Sequence, residues 1–99
     1  MLTPLPSRRF DPPYRVPWRV DRADPAHPRV LNASREPADF VRAFVHDDVT
    51  PPSSEHWGLV LPEEICELCL CERALASTLV TLAWFRPGED DEYLWRFCL

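Results

Sequence analysis

The sequence predicts a mainly α fold: a small helical domain of three to four helices behind an extended proline-rich arm, with room for one short strand pair. Three observations predict it. Seven of the 12 prolines fall in residues 1–35, where they oppose helix and favour extended backbone. Phe40, Val41, Phe44 and Val45 recur at i, i+1, i+4, i+5, which lines one helical face. Leu75, Leu79, Leu82 and Phe85 keep helical spacing within the most apolar window of the chain, residues 74–85. The organisation expected is an arm over residues 1–35 and a helical domain over residues 36–99, within the one domain that 99 residues support.

Within the arm, Val16, Trp18 and Val20 share one face by period two, so Tyr14–Val20 reads as a short strand. Pro17 confines that strand to a sheet edge. Disorder is the rival state for residues 1–12. Residues 36–46 read as the first helix, with Ser34 as a cap, Pro37 in its first turn, and Glu36 and Asp39 at the positive end of the dipole. Asp47-Asp48 belong to a loop running through Thr50-Pro-Pro-Ser-Ser54. Pro62 opens a second helix with Glu63 and Glu64 behind it, and Ile65, Leu68 and Cys69 line one face. A kink or turn near residues 71–74 separates it from a central buried helix over residues 74–85. Pro87 and Gly88 stop that helix, four carboxylates follow, and Tyr93–Leu99 returns as a docked helix or strand.

Composition narrows the function classes. The net charge of −5 divides unevenly: seven arginines face three aspartates in residues 1–35, and four arginines face 13 carboxylates in residues 36–99. The basic arm and acidic body attract each other, and an acidic face also suits a basic partner. All 11 basic residues are arginine, which a GC-rich genome explains without a specialised surface. No window reaches the ~20 apolar residues of a membrane span. The N-terminus lacks the apolar core of a signal peptide, so a cytoplasmic location is expected. Arginine alternates with aromatics at Arg8-Arg9-Phe10, Tyr14-Arg15 and Trp18-Arg19, as in single-strand binders. The acidic balance and the absence of a nucleic-acid motif oppose that reading.

The candidate chemistry is sparse. Cys66, Cys69 and Cys71, with Cys98 far away, invite a metal reading. On a helix, however, Cys71 points about 200° away from Cys69, and buried thiols pack readily as small apolar groups. No metal ligand set, cofactor or catalytic residue is therefore assigned. Among the histidines, His27 falls in a proline-rich loop, His46 ends the first helix and His56 precedes Trp57. None of the three forms a recognisable pair with a cysteine. Adjacent carboxylates in polar turns are solvated surface more often than acid–base machinery. Phosphate-loop, zincin and nucleophile-elbow patterns are absent, so no enzyme is expected.

Several pieces form a wider pattern: Trp57-Gly58, Leu61-Pro62, Cys71-Glu72, Ala74 to Leu79, Trp84-Phe85, Gly88 and Tyr93-Leu94. Over residues 57–94 the chain thereby resembles a short bacterial helical domain family of unknown function. It departs from that pattern in the missing aspartates of the Trp-Gly turn and in Ala74, where glycine is usual. The resemblance implies a small helical domain and a place among immunity-like accessory proteins of toxin systems. The expected function is thus a non-catalytic, protein-binding inhibitor that occludes a bacterial toxin. Asp47, Asp48, Glu89, Asp90, Asp91 and Glu92 would meet a basic protein partner by electrostatic steering. Trp57 would anchor it, with Trp18 and Trp95 as further aromatic anchors. Two alternatives stand beside it: a phage-encoded inhibitor of a host defence complex acting by acidic nucleic-acid mimicry, and a small cysteine-based metal-binding module.

Overall fold

The computed structural model of the protein describes residues 14–99, and the expectations for residues 1–12 lie outside it. The described residues form β-strands, not helices: β1 (Trp18–Asp21), β2 (Arg29–Asn32), β3 (Ala38–His46), β4 (Ser53–Val60), β5 (Ile65–Glu67), β6 (Leu79–Phe85) and β7 (Glu92–Cys98). One 3-10 turn, Leu75–Ser77, precedes β6. The strands make two antiparallel sheets, of order β1-β2-β5 and β4-β3-β6-β7. The mainly α expectation is therefore overturned, and with it the helical domain that the family resemblance implies.

Each expected helix is replaced by a strand or a turn. In β3, Val41, Ala43 and Val45 point inward while Arg42, Phe44 and His46 point outward. The Phe-Val-Arg-Ala-Phe-Val run satisfies both a helical stripe and a period-two strand, and its β-branched and aromatic residues fit the strand better. A bulge supplies the irregularity that imitates helical spacing: Ala38 and Val41 are both buried although three residues apart. Phe40 takes φ 50 there, and its N–H donates to Asp39 Oδ1 at 2.9 Å. The 74–85 window divides after its 3-10 turn, and Val80, Leu82 and Trp84 of β6 form the inward row. Pro62 opens a tight turn instead of a helix, with Glu63 at φ 67 and Glu64 Oε1 accepting the Leu61 N–H at 2.8 Å. Two other expectations hold in part. The edge strand expected over Tyr14–Val20 forms only from Trp18, with Val16 outside it and exposed. Gly88 at φ 75 makes the expected turn, but between β6 and β7 and not after a helix.

One core joins the two sheets. Trp18 and Val30 come from the smaller sheet; Val41, Ala43, Val45, Val80, Leu82, Trp84 and Phe97 come from the larger. Trp18 meets Trp84 edge-to-face, with centroids 5.5 Å apart, an arrangement that the ring quadrupoles favour. Asn32 at the end of β2 is fully buried and fully used. Its Nδ2 donates to the carbonyls of Glu36 and Val60 at 3.0 Å each, and its Oδ1 accepts from Ser34 N and Oγ. This side chain pins the smaller sheet to the ends of β3 and β4. Residues 14–35 are thus part of the folded body and not a separate arm.

Candidate metal centre

The chain beyond β5 stays extended. Leu68 N–H donates to the Pro28 carbonyl at 3.0 Å and Leu70 N–H to the Ala26 carbonyl at 2.7 Å, which carries the β2–β5 pairing past its last ladder residue. Extended backbone sends alternate side chains to opposite faces. Cys66, Leu68 and Leu70 therefore turn toward the core, and Glu67, Cys69 and Cys71 turn outward. The helical geometry that separated Cys69 from Cys71 is replaced by one that puts both on the same side.

The segment opposite carries His27 to them. Asp24 organises this turn: its Oδ1 accepts the Ala26 N–H at 3.1 Å and its carbonyl accepts the His27 N–H at 2.9 Å. Its other oxygen lies 3.0 Å from His27 Nδ1. That contact sets a proton on Nδ1 and leaves Nε2 aimed at the cysteines. Nε2 stands 3.1 Å from Cys71 Sγ, and Cys71 Sγ stands 3.2 Å from Cys69 Sγ. The three donor atoms all lie within 4.8 Å of one another.

The electrostatics follow from these contacts. The His27 hydrogen bond holds the Asp24 carboxyl below its usual range, and Asp24 in turn raises the imidazole. Cys69 is lowered because the backbone N–H and the thiol of Cys71 both donate to its sulfur, with His27 assisting. Cys71 is raised because it donates to Cys69 and faces the charge gathered there. Cys66 differs from both: burial, then Glu64 and Glu55, push its thiol up to about 11. It is a packing residue, and Cys98 lies exposed at the end of β7.

Two thiolates and an imidazole are a donor set for thiophilic ions such as zinc. A tetrahedral zinc with bonds of about 2.3 Å to sulfur and about 2.0 Å to nitrogen spaces its donors roughly 3.5–3.8 Å apart. The two contacts through Cys71, at 3.1 and 3.2 Å, lie about half an ångström inside that spacing, and all three donors stay within 4.8 Å of one another. Asp24 stands where a carboxylate orients a ligating histidine from behind. An open cleft of about 370 Å³, lined by Asp21, Ala23, Asp24, His27, Arg29 and Glu67, borders the histidine side of the site, and Cys69 and Cys71 are themselves exposed.

The residues expected to meet a partner are placed elsewhere and do not converge. Asp47 is turned inward, its carboxylate accepting from Val49 N at 2.7 Å, Thr50 N at 2.6 Å, Ala74 N at 3.3 Å and Arg73 at 3.4 Å. Asp48 is exposed beside it, its N–H on Ser77 Oγ. Glu89 accepts from Tyr93 and pairs with Arg86, and Glu92 pairs with Arg42. Asp90 and Asp91 are exposed in the β6–β7 turn. That turn and the Asp47-Asp48 loop lie at opposite ends of β6, since His46 pairs with Leu79 and Asp39 with Phe85. Seven strand residues separate them by roughly 20 Å. Trp57 is half-buried with Nε1 directed at Glu55, Trp95 packs against the core, and Trp18 lies within it.

Sequence reasoning missed Asp24, His27 and the Cys69–Cys71 pair. The available signal was the strict alternation in Cys66-Glu-Leu-Cys-Leu-Cys71, a strand pattern, together with the flanking Pro25 and Pro28 that keep His27 out of a helix. Among the described residues, no helix is long and apolar enough to cross a membrane. No family model, curated protein or solved structure matches the chain.

Proposed function

We propose that the chain is a small β-sheet metal-binding module that takes one thiophilic ion, with zinc as the reference, on His27 Nε2, Cys69 Sγ and Cys71 Sγ. The observation that carries this reading is the convergence of three soft donors from two separate segments, with Asp24 already seated behind the histidine. A tetrahedral ion held by three ligands keeps one position open, for water or for a donor from a partner. Zinc titration of the reduced protein against a chelating indicator tests it. A stoichiometry of one per chain is expected. His27→Gln and Cys71→Ser should each weaken binding at least tenfold, and Cys98→Ser should leave it unchanged. Asp24→Asn keeps all three ligands but loses the carboxylate that orients one of them, so affinity should fall about 10- to 100-fold. Equal zinc affinity in all four variants would sink the proposal.

A second reading, the non-catalytic protein-binding inhibitor, is favoured by a different observation. The outer face of the larger sheet exposes Phe40, Phe44 and Leu94 around Arg42, whose guanidinium lies 4.4 Å from the Phe40 ring centre. Aromatics and arginine are enriched at protein interfaces. Affinity capture from the native host with wild-type and Phe44→Asp protein, at low and high salt, tests this surface. A partner retained by the wild type and lost by the variant supports it. Equal capture by both would exclude that face.

A further inference from the structure

We infer that Cys69 and Cys71 are also a dithiol–disulfide couple, so that oxidation closes the site that the metal would occupy. The dithiol chemistry stands on geometry alone; its regulatory consequence rests on the metal reading above. The two sulfurs are 3.2 Å apart, whereas Cys66 turns toward the core and Cys98 ends β7 of the other sheet. Both are exposed, so a small oxidant reaches them, whereas Cys66 is partly covered and faces the core.

The 3.2 Å contact brings the sulfurs within reach of a bond, and the extended backbone strains it. Residues i and i+2 of an extended chain are about 6.4–6.8 Å apart at Cα. That is the long end of the range a disulfide spans. The Leu70 N–H bond to Ala26 and the burial of Leu70 hold the intervening residue in place. A disulfide formed here is consequently a readily reduced one, of the labile class and not the structural class.

With hydrogen peroxide as oxidant the step balances. One thiolate sulfur attacks a peroxide oxygen, the O–O bond breaks, and hydroxide leaves and is protonated to water. The sulfenic acid so formed is attacked by the second sulfur. The S–S bond forms, the S–O bond breaks, and a second water departs carrying the thiol proton. The dithiol loses two electrons and the peroxide gains them. Two of the three metal donors are then consumed in one bond, and His27 alone cannot hold the ion. Conversely, a bound ion occupies both sulfurs and shields them.

The test uses the reduced, metal-free full chain and its Cys98→Ser variant, which removes scrambling through the exposed C-terminal thiol. Each is treated with one equivalent of hydrogen peroxide, then analysed by intact mass, thiol count and peptide mapping. The expected result is loss of two hydrogens and two thiols, mapped within the peptide holding Cys69 and Cys71, in both proteins. Dithiothreitol should restore both thiols. Zinc-loaded protein should oxidise at least tenfold more slowly, and oxidised protein should bind no zinc until reduced. Oxygen addition without a Cys69–Cys71 bond, or pairing through Cys66, would overturn the inference even if the reduced chain binds zinc. If the bond forms but the reduced chain binds no zinc, the couple stands and the metal reading fails, together with the regulation drawn from it.

Discussion

At the residue scale, Asp47 shows how one side chain can change role between sequence and structure. As half of an acidic pair it reads as a surface charge. In the fold its carboxylate is enclosed and accepts from three backbone N–H groups and from Arg73, whose own side chain is nearly covered. These contacts, led by the Thr50 N–H, lower its carboxyl to about 2. The unfolded value is about 3.9. A depressed carboxylate stabilises the fold fully above the unfolded value and loses that contribution as pH falls through the folded one. Thermal unfolding of Asp47→Asn should therefore show a lower Tm at neutral pH. The gap to wild type should narrow between about pH 4 and pH 2. A gap that stayed constant over this window would mean the charge of Asp47 does no structural work. The bonds from Val49 and Thr50, two and three residues on, are a local turn pattern; those from Arg73 and Ala74, 26 and 27 residues away, leave no local trace.

At the element scale, the segment from β5 to Cys71 decides which cysteines can act together. Alternation groups Cys66 with Leu68 and Leu70 on the core side and Cys69 with Cys71 on the open side. A helix would have paired Cys66 with Cys69. The two geometries make different predictions for thiol chemistry. Cys66, partly covered and with its thiol raised to about 11, should be alkylated by iodoacetamide far more slowly than Cys69, because the thiolate is the reactive form. Time-resolved labelling of the metal-free chain, read by mass spectrometry, checks this. Equal rates at residues 66 and 69 would contradict the strand assignment. The helical reading failed here because Pro62-Glu63-Glu64 is as good a start to a helix as to a turn. The positive φ of Glu63, sustained by Glu64 and by the Glu63 N–H bond to the Asn32 carbonyl, chooses the turn.

At the scale of the whole molecule, two small sheets are stable only because they share one core. Trp84 is the largest fully buried side chain among the described residues; it touches Trp18 of the other sheet and Tyr93 of its own, and its Nε1 donates to Tyr14 at 2.9 Å. Trp84→Ala should cost about 3–5 kcal/mol of unfolding free energy. The loss should appear as one cooperative transition at lower denaturant. If the variant instead lost the smaller sheet alone, giving two transitions, the sheets would be separate folding units. The same core positions the candidate ligands: Leu68 and Leu70 are buried in it, flanking Cys69 and preceding Cys71.

By itself the sequence determined the turn at Pro87-Gly88, the β1 edge strand, the apolar segments that build the core and the uneven charge. Those properties reside in single residues or in neighbours along the chain. Only the tertiary structure decided whether the apolar runs of residues 38–46 and 79–85 coil or extend, because each satisfies both periods and the choice falls to what they pack against. It also decided the site. Asp24 and His27 are brought to Cys69 and Cys71 by antiparallel pairing across more than 40 residues, and pairing register is set by the burial of whole strand faces, not by any motif near the ligands.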